Sequence, residues 1–425
     1  MSRSSTTVGN RLSVSARAQK DVGKRLSHTA KLHARLIRRL GVLAAVLALV
    51  AGATVPATGF AQAQCTPILS GLRLPVASLM THQGHLLIAE SGDGTAGSGR
   101  ISILDRDGTL RTLLQGLPSA PADVGTPSGP SGLFMRGRSL YLAIGTGDTG
   151  ILGPRPGTTL VNPNGPSSPI FSSVLAMSLS PGAEMQTTGF TMTRANQDAL
   201  ANGQFVMLTD SRGYVMTIRM LTNFPEYVPS PLPDVPGNIS LSNPFGIVGF
   251  GQWLFVTDGG RNLAWKVDAL DGAQTEFVNF PSVPNPMFPG VGGPFIQAVP
   301  TGIAVSRGKL LLSRFTGAPF ATGVSSVEQI DPVTGADTRL ISNLTTAIGT
   351  IPLHEAHQPL LVLEMAAHGP FFSGPGTVLK FNDPAGTPTT VASCLVGPTS
   401  MTYDRSTHTL YVTEEEGGLV GVPYP

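Results

Sequence analysis

Charge is scarce in this chain: 13% of its 425 residues are charged, 6% are aromatic, and two are cysteine. The net charge of +2 hides a division, because ten of the 28 Lys and Arg precede residue 64 against a single acid, Asp21. From Gln64 onward 18 basic residues face 25 acidic ones, and only Lys266, Lys309 and Lys380 are lysines. A mildly acidic body with scattered arginines offers no footprint for nucleic acid or anionic lipid. A G-x-S-x-G nucleophile elbow is also missing, and neither cysteine sits in a nucleophile's setting. Long apolar runs are lacking too. The stretch LGVLAAVLALVAGA at 40–53 is about 14 residues, short of the roughly 20 that span a bilayer.

That run follows Arg35, Arg38 and Arg39 and is broken by Pro56, and Ala61-Gln62-Ala63 supplies small residues for cleavage before Gln64. It reads as the core of a signal peptide, so 1–63 is a leader and the mature protein is exported, periplasmic or extracellular. The segment before the core is long for a signal. It reflects either a different translation start or added targeting information, and Arg38-Arg39 raises a twin-arginine route although Leu40-Gly41 is not its usual context. Gln64 stands where a lipidated Cys65 would need a small residue, so no membrane anchor is expected after cleavage. Export permits a disulfide between Cys65 and Cys394, the alternative being two buried thiols.

What the chain has in quantity is Gly, 51, and Pro, 36, with 41% hydrophobic residues in short spaced runs. Gly and Pro are costly inside helices, so a turn-rich all-β protein is the first expectation. The runs repeat. HLLIAE (85–90), SLYLAI (139–144), WLFVTD (253–258), KLLLSR (309–314), PLLVLE (359–364) and TLYVTE (409–414) are apolar along nearly their whole length, as strands buried on both faces are. Before them stand PSGLFM (130–135), PFGIVG (244–249), PTGIAV (300–305) and PTSMTY (398–403), with looser counterparts at 75–80 and 347–352. Third and fourth strands follow, and Asp107-Gly108 and Asp271-Gly272 mark hairpin turns between them. Four short strands repeated six times predict a β-propeller spanning 64–425 as a single domain. The sixth unit ends after three strands, and PILSGLRLP (67–75) is the orphan fourth strand expected to close it. Residues 179–227, with the helix-like TRANQDALANG, read as an insertion within blade two, although QFVMLTD mimics the repeated strand and keeps seven blades open.

The succession SNPFGIV, LFVTDGGRNLAWKVD, VPTGIAV, FTGAPFATGVSSVEQIDP, VLEMAAHG, GTVLKFNDPAGTPTTVA and GPTSMTYD resembles the ScyD/ScyE family, exported NHL-like bacterial propellers of the scytonemin-cluster type. The likeness covers about 65–425 and is strongest over 240–415. It implies a secreted propeller and transfers no catalytic residue. Where the family tends to have an acid, this chain has Arg314.

In register, the repeats place Glu90, Ile144, Asp258, Arg314, Glu364 and Glu414 at one position, ending each second strand. Four acids and an Arg would ring one mouth of the central channel and hold a polyhydroxylated ligand or a divalent cation such as Ca²⁺, the one cofactor this pattern admits. The plainer alternative is that each acid accepts N–H bonds from the turn after its strand. Asp93 and Asp148, in glycine-rich loops nearby, are second-rank metal candidates. Gly145-Thr146-Gly147-Asp148-Thr149-Gly150 matches a dinucleotide fingerprint, but Pro154 and Pro156 rule out the helix it needs. His354-Glu355-Ala356-His357 spaces its histidines three apart rather than four and reads as solvated turn, as do His82 and His85.

The expectation is therefore a monomeric, exported, non-catalytic propeller binding a small molecule or an exported protein at the channel mouth. One alternative is a metal-dependent lactonase of the gluconolactonase-like type, drawing on Glu90, Asp258 and Glu364 with Asn262 as the nearest amide ligand. Another is an interaction scaffold that docks a partner on its insertion.

Overall fold

The computed structural model describes residues 65–353 and 358–424. The leader, the His354–His357 stretch and Pro425 lie outside the described residues. Six antiparallel sheets stand in sequence order, and the first strand of each lies against the first strands of its two neighbours, blade six returning to blade one. The protein is a six-bladed β-propeller. Blade one is Pro75–Met80, Leu86–Glu90, Gly99–Leu104 and Leu110–Leu117. Blades three, four and five repeat the pattern from Pro244–Phe250, Pro300–Ser306 and Ala347–Pro352 outward. In blade six, Pro398–Asp404, Thr409–Glu414 and Gly418–Pro423 are followed on the outside by Thr66–Leu69, which pairs antiparallel with the last of them.

The second strands are the repeated apolar runs, and in blades one to five they are buried almost throughout. Their side chains fill the wedges between blades. Leu254, Val256 and Trp265 pack toward Tyr141 and Val174, and Phe255 and Ala264 pack toward Leu310 and Ile330. Burying one such leucine or valine contributes about 1.5–3 kcal/mol.

The Pro-x-Gly opening of the first strands has a packing cause. Every first strand carries a register irregularity there, such as Pro130/Gly132 and Pro300/Ile303, which turns the strand sharply at its start. A Cβ on Gly132 would overlap the Phe245 carbonyl of the next blade, and one on Gly246 or Gly302 would lie 2.5 Å from Thr301 O or 2.6 Å from Ile348 O. Neighbouring hydroxyls fasten the same contacts: Ser131 Oγ donates to Pro244 O at 2.8 Å, Thr257 Oγ1 to Thr301 O at 2.5 Å, and Thr399 Oγ1 to Pro75 O at 2.6 Å.

Blade two departs from the pattern. Its third strand, Ser173–Ser178, pairs with Val215–Asn223, and Val206–Thr209 adds a fifth strand outside that. The span 179–227 thus contains the blade's own fourth strand, and the chain inserted between third and fourth strands is 179–214. QFVMLTD is that outermost strand and belongs to no seventh blade. The inserted chain forms helix α1 (Pro181–Gln186), capped by Ser180, then Phe190–Thr191, which runs parallel to the outer strand of blade one, then helix α2 (Arg194–Ala201). Thr193 and Asn196 form the capping box of α2, each side chain bonding the other's backbone N–H. Ala183, Phe190, Met192 and Leu200 are buried against Leu114, Leu117 and their neighbours, so the insertion bridges blades one and two.

Cys65 and Cys394 form a disulfide with Cα atoms 6.0 Å apart, stapling the outer edge of blade six to that of blade five. Among the described residues no helix is long and apolar enough to cross a membrane.

Candidate functional site

The six aligned positions do fall at one end of the molecule, where each second strand finishes and each first strand starts. Their carboxylates turn into the loops and not toward the channel. Arg73 N–H donates to Glu90 Oε2 at 2.6 Å, Asn243 N–H to Asp258 Oδ1 at 2.7 Å, Thr345 N–H to Glu364 Oε1 at 2.6 Å and Val396 N–H to Glu414 Oε1 at 2.7 Å. Each donor lies one or two residues before the first strand of the same blade. The acids therefore cap the loop entering their own blade, rather than only the turn after their strand. Asp258 does both, accepting Arg261 N–H at 3.0 Å, and it also takes the Trp265 indole N–H at 3.0 Å.

The remaining valences are filled in the same way. Glu90, wholly buried, pairs with Arg100 at 2.7 Å and accepts the Ser102 hydroxyl. Thr377 donates to Glu364 Oε2 at 2.8 Å. Burial pushes the Asp258, Glu364 and Glu414 carboxyls above the usual carboxylate range, against the N–H bonds that favour ionisation. In blade four, Arg314 turns inward at 5% exposure and pairs with Glu328 at 3.0 Å on the neighbouring strand. The entering N–H there, Val299, is accepted by Asn262 Oδ1 of blade three at 2.9 Å, which is the role of that asparagine. Ile144 in blade two is buried and apolar.

The metal candidates are committed likewise. Asp93 Oδ1 accepts the N–H and hydroxyl of Thr95, bonds that hold its carboxyl at a pKa of about 2, and Asp148 Oδ1 accepts both from Ser167. Among the described residues, no three His, Cys, Asp or Glu side chains stand together in a way that would hold a metal ion. Each acid of the ring is thus engaged with its own blade, and the four do not converge on one point. The Gly145–Gly150 loop leads into a strand, Gly150–Leu152, and not into a helix.

His85 needs a correction. His82 is exposed in its turn, but His85 is 5% exposed and its Nδ1 lies 2.9 Å from Glu184 Oε1 of α1. Asp105 stands 3.8 Å from its Nε2, and Arg111 bridges Asp105 to the Thr187 and Glu184 carbonyls. Thr81 and Gln83 also donate to Glu184. This buried cluster clamps the insertion to blade one. Its members are up to 103 residues apart, so no local pattern announces it.

Two cavities remain at the axis and its mouth. The channel, about 130 Å³, is lined by the six first strands with residues such as Ala77, Leu133, Ile303 and Thr350, and among the described residues no charged side chain lines it. Beside its mouth, a cavity of about 190 Å³ lies over blades three to five, walled by Phe245, Val299, Pro300, Phe315 and Ile348 with Asn243 and Thr301 as polar members. Asn243 caps onto Asp258 and Phe315 follows Arg314, so the aligned positions flank this cavity without lining it.

No protein-family model matches the chain, and no curated protein matches it in sequence. Solved structures resemble it in chain course. A gluconolactonase from Xanthomonas campestris is 11% identical over 85% of this chain and 90% of its own, with a TM-score of 0.45. A virginiamycin B lyase from Staphylococcus aureus, solved with quinupristin, is 14% identical over 85% and 99%, with a TM-score of 0.42. A chain of the nidogen/laminin complex is 14% identical over 80% and 100%, with a TM-score of 0.40. Likeness at this level describes the fold and carries nothing about activity.

Proposed function

We propose that the protein is an exported, monomeric, non-catalytic propeller of the ScyD/ScyE type that captures a ligand beside the channel mouth. The observation that carries this reading is the cavity of about 190 Å³ walled by Phe245, Val299, Phe315 and Ile348, at the end of the molecule where every aligned acid is already spent on a backbone N–H. Concave, mostly apolar sites with a few polar groups are where small molecules bind. The leader at 1–63, the disulfide and the ordered family motifs support export and membership. No observation favours the lactonase reading, which needs acids converging on an ion.

Thermal unfolding of purified 64–425 tests it. A panel of small molecules is expected to yield one that raises the midpoint and slows amide exchange at Asn243, Val299 and Thr301. Ligand at 100 times its dissociation constant stabilises by about 2.7 kcal/mol, a readable shift. Ca²⁺, Mg²⁺, Mn²⁺ and Zn²⁺ are expected to give no selective rise over chelator. A selective rise that disappears in Glu90→Gln/Glu364→Gln, with lactone turnover, would replace this reading by the hydrolase. Protection confined to the insertion would replace it by the scaffold.

A further inference from the structure

Resting on that reading, we propose that the mouth cavity is an aromatic-ring site, taking a neutral one- or two-ring aromatic molecule against Phe315. Phe315 belongs to the cavity wall and also to a ring cluster that reaches the surface. Its centroid is 5.7 Å from Phe320 and 5.9 Å from Phe372, and Phe320 and Phe372 stack at 4.1 Å. Phe372 is 41% exposed and its neighbour Phe371 60%. The loops carrying them are laced together, Phe371 N–H donating to Pro319 O at 3.1 Å and Gly369 N–H to Thr322 Oγ1 at 2.8 Å. A continuous aromatic path therefore runs from the surface to the wall.

Backbone strain gathers at the same place. Thr316, Phe320, Phe371 and Phe372 have φ of +68°, +57°, +54° and +60°. Bulky side chains rarely adopt this region, and such outliers persist where the surrounding structure over-determines them, ligand clamps among such places. Thr316, directly after the wall residue, is 1% exposed, and its hydroxyl has no hydrogen-bond partner among the described residues.

Size and charge narrow the occupant. An apolar cavity of about 150 Å³ holds benzene, so 190 Å³ open at one side suits one or two fused rings. Among the described residues no charged side chain lines the wall, which disfavours an ionised ligand. Offset and edge-to-face ring contacts, available from Phe315 and Phe245, distinguish an aromatic from an equally apolar aliphatic.

The test is saturation-transfer NMR on the purified protein with 2-naphthol and indole as probes and cyclohexanol as the aliphatic control. Saturable 2-naphthol binding is expected, weakened about fivefold by Phe315→Leu, the loss of one aromatic contact, and less by Phe372→Leu, which removes the ring 5.9 Å from Phe315. Phe372 is 41% exposed, so its substitution leaves the fold intact, and Leu152→Ala, in the exposed strand Gly150–Leu152, is expected to change nothing. Cyclohexanol binding as tightly as 2-naphthol overturns the aromatic class while leaving ligand capture at this face standing. Absence of 2-naphthol and indole binding overturns it as well, and the exchange-mapped panel then decides separately whether the face binds anything. Probe binding unchanged in both Phe variants overturns the location.

Discussion

Glu90 has no exposed surface and serves three partners: a backbone N–H, an arginine and a serine. Glu90→Ala leaves the Arg100 charge and the Arg73 N–H without their acceptor, and breaking such a pair from one side costs about 3–5 kcal/mol. Urea denaturation is expected to show that loss, with a smaller one for Glu90→Gln, whose amide oxygen still accepts. The pH dependence has a definite sign. Asp258, Glu364 and Glu414 hold their protons to a higher pH folded than unfolded, because burial penalises the carboxylate. Their contribution is complete below the ordinary carboxyl range and is lost as pH rises through the raised folded values. Asp93 and Asp331 act oppositely, held low by bonds from Thr95 and from Lys309 respectively, and their contribution is lost as pH falls below the ordinary range. The urea midpoint is therefore expected to decline on the alkaline side of the ordinary carboxyl range, and Glu364→Gln to flatten that decline. In Glu364→Gln, Thr345 N–H keeps its acceptor and the Thr377 hydroxyl can turn to accept. An unchanged slope would remove Glu364 from the account. The alignment of the acids was legible because it follows strand periodicity. The direction in which they point was not, since it depends on an N–H from the loop on the other side of the blade.

At the scale of elements, the insertion is held by its buried apolar side chains, by the His85–Glu184 clamp and by a close approach at Gly116. Gly116 has φ of +80°, and a Cβ there would overlap the Met192 carbonyl, which accompanies the parallel pairing of Phe190–Thr191 with blade one. Gly116→Ala is expected to cost about 1–3 kcal/mol through strain and overpacking. Limited proteolysis should then cut within 179–214 while the six blades stay resistant, and uniform resistance would refute the claim. The second strands were readable from their apolar runs, and α2 from the helix-like TRANQDALANG. The fourth strand of blade two was not, because Val215–Asn223 includes Arg219 and Asn223 and follows a long insertion instead of an Asp-Gly turn. His85 misled for a similar reason. A histidine in a hairpin turn is ordinarily wet, and only the docking of α1 from 99 residues away dries it.

For the whole molecule, the disulfide spans 329 residues, and losing a bond that closes so long a loop costs about 2–4 kcal/mol. Thr66–Leu69 is mostly exposed and pairs with a single strand, so little else retains it. Reduction, or Cys65→Ser with Cys394→Ser, is expected to lower the thermal midpoint and to speed amide exchange first at 66–69. A midpoint insensitive to reduction would count against that assignment.

The glycine seats are unevenly distributed around the axis. Gly132, Gly246 and Gly302 each bring the following blade's carbonyl close, whereas a Cβ on Gly349 would meet nothing, and Ala77 and Ser400 occupy the corresponding places in blades one and six. Between blades six and one, the hydroxyls of Ser78, Ser400 and Thr402 bridge the inner strands instead. The ring is thus held by close glycine seats from blade two to blade five, and by the disulfide and hydroxyl bonds from five through six to one. The mouth cavity lies over blades three to five, so a side chain added at Gly246 or Gly302 would push apart the strands that wall it.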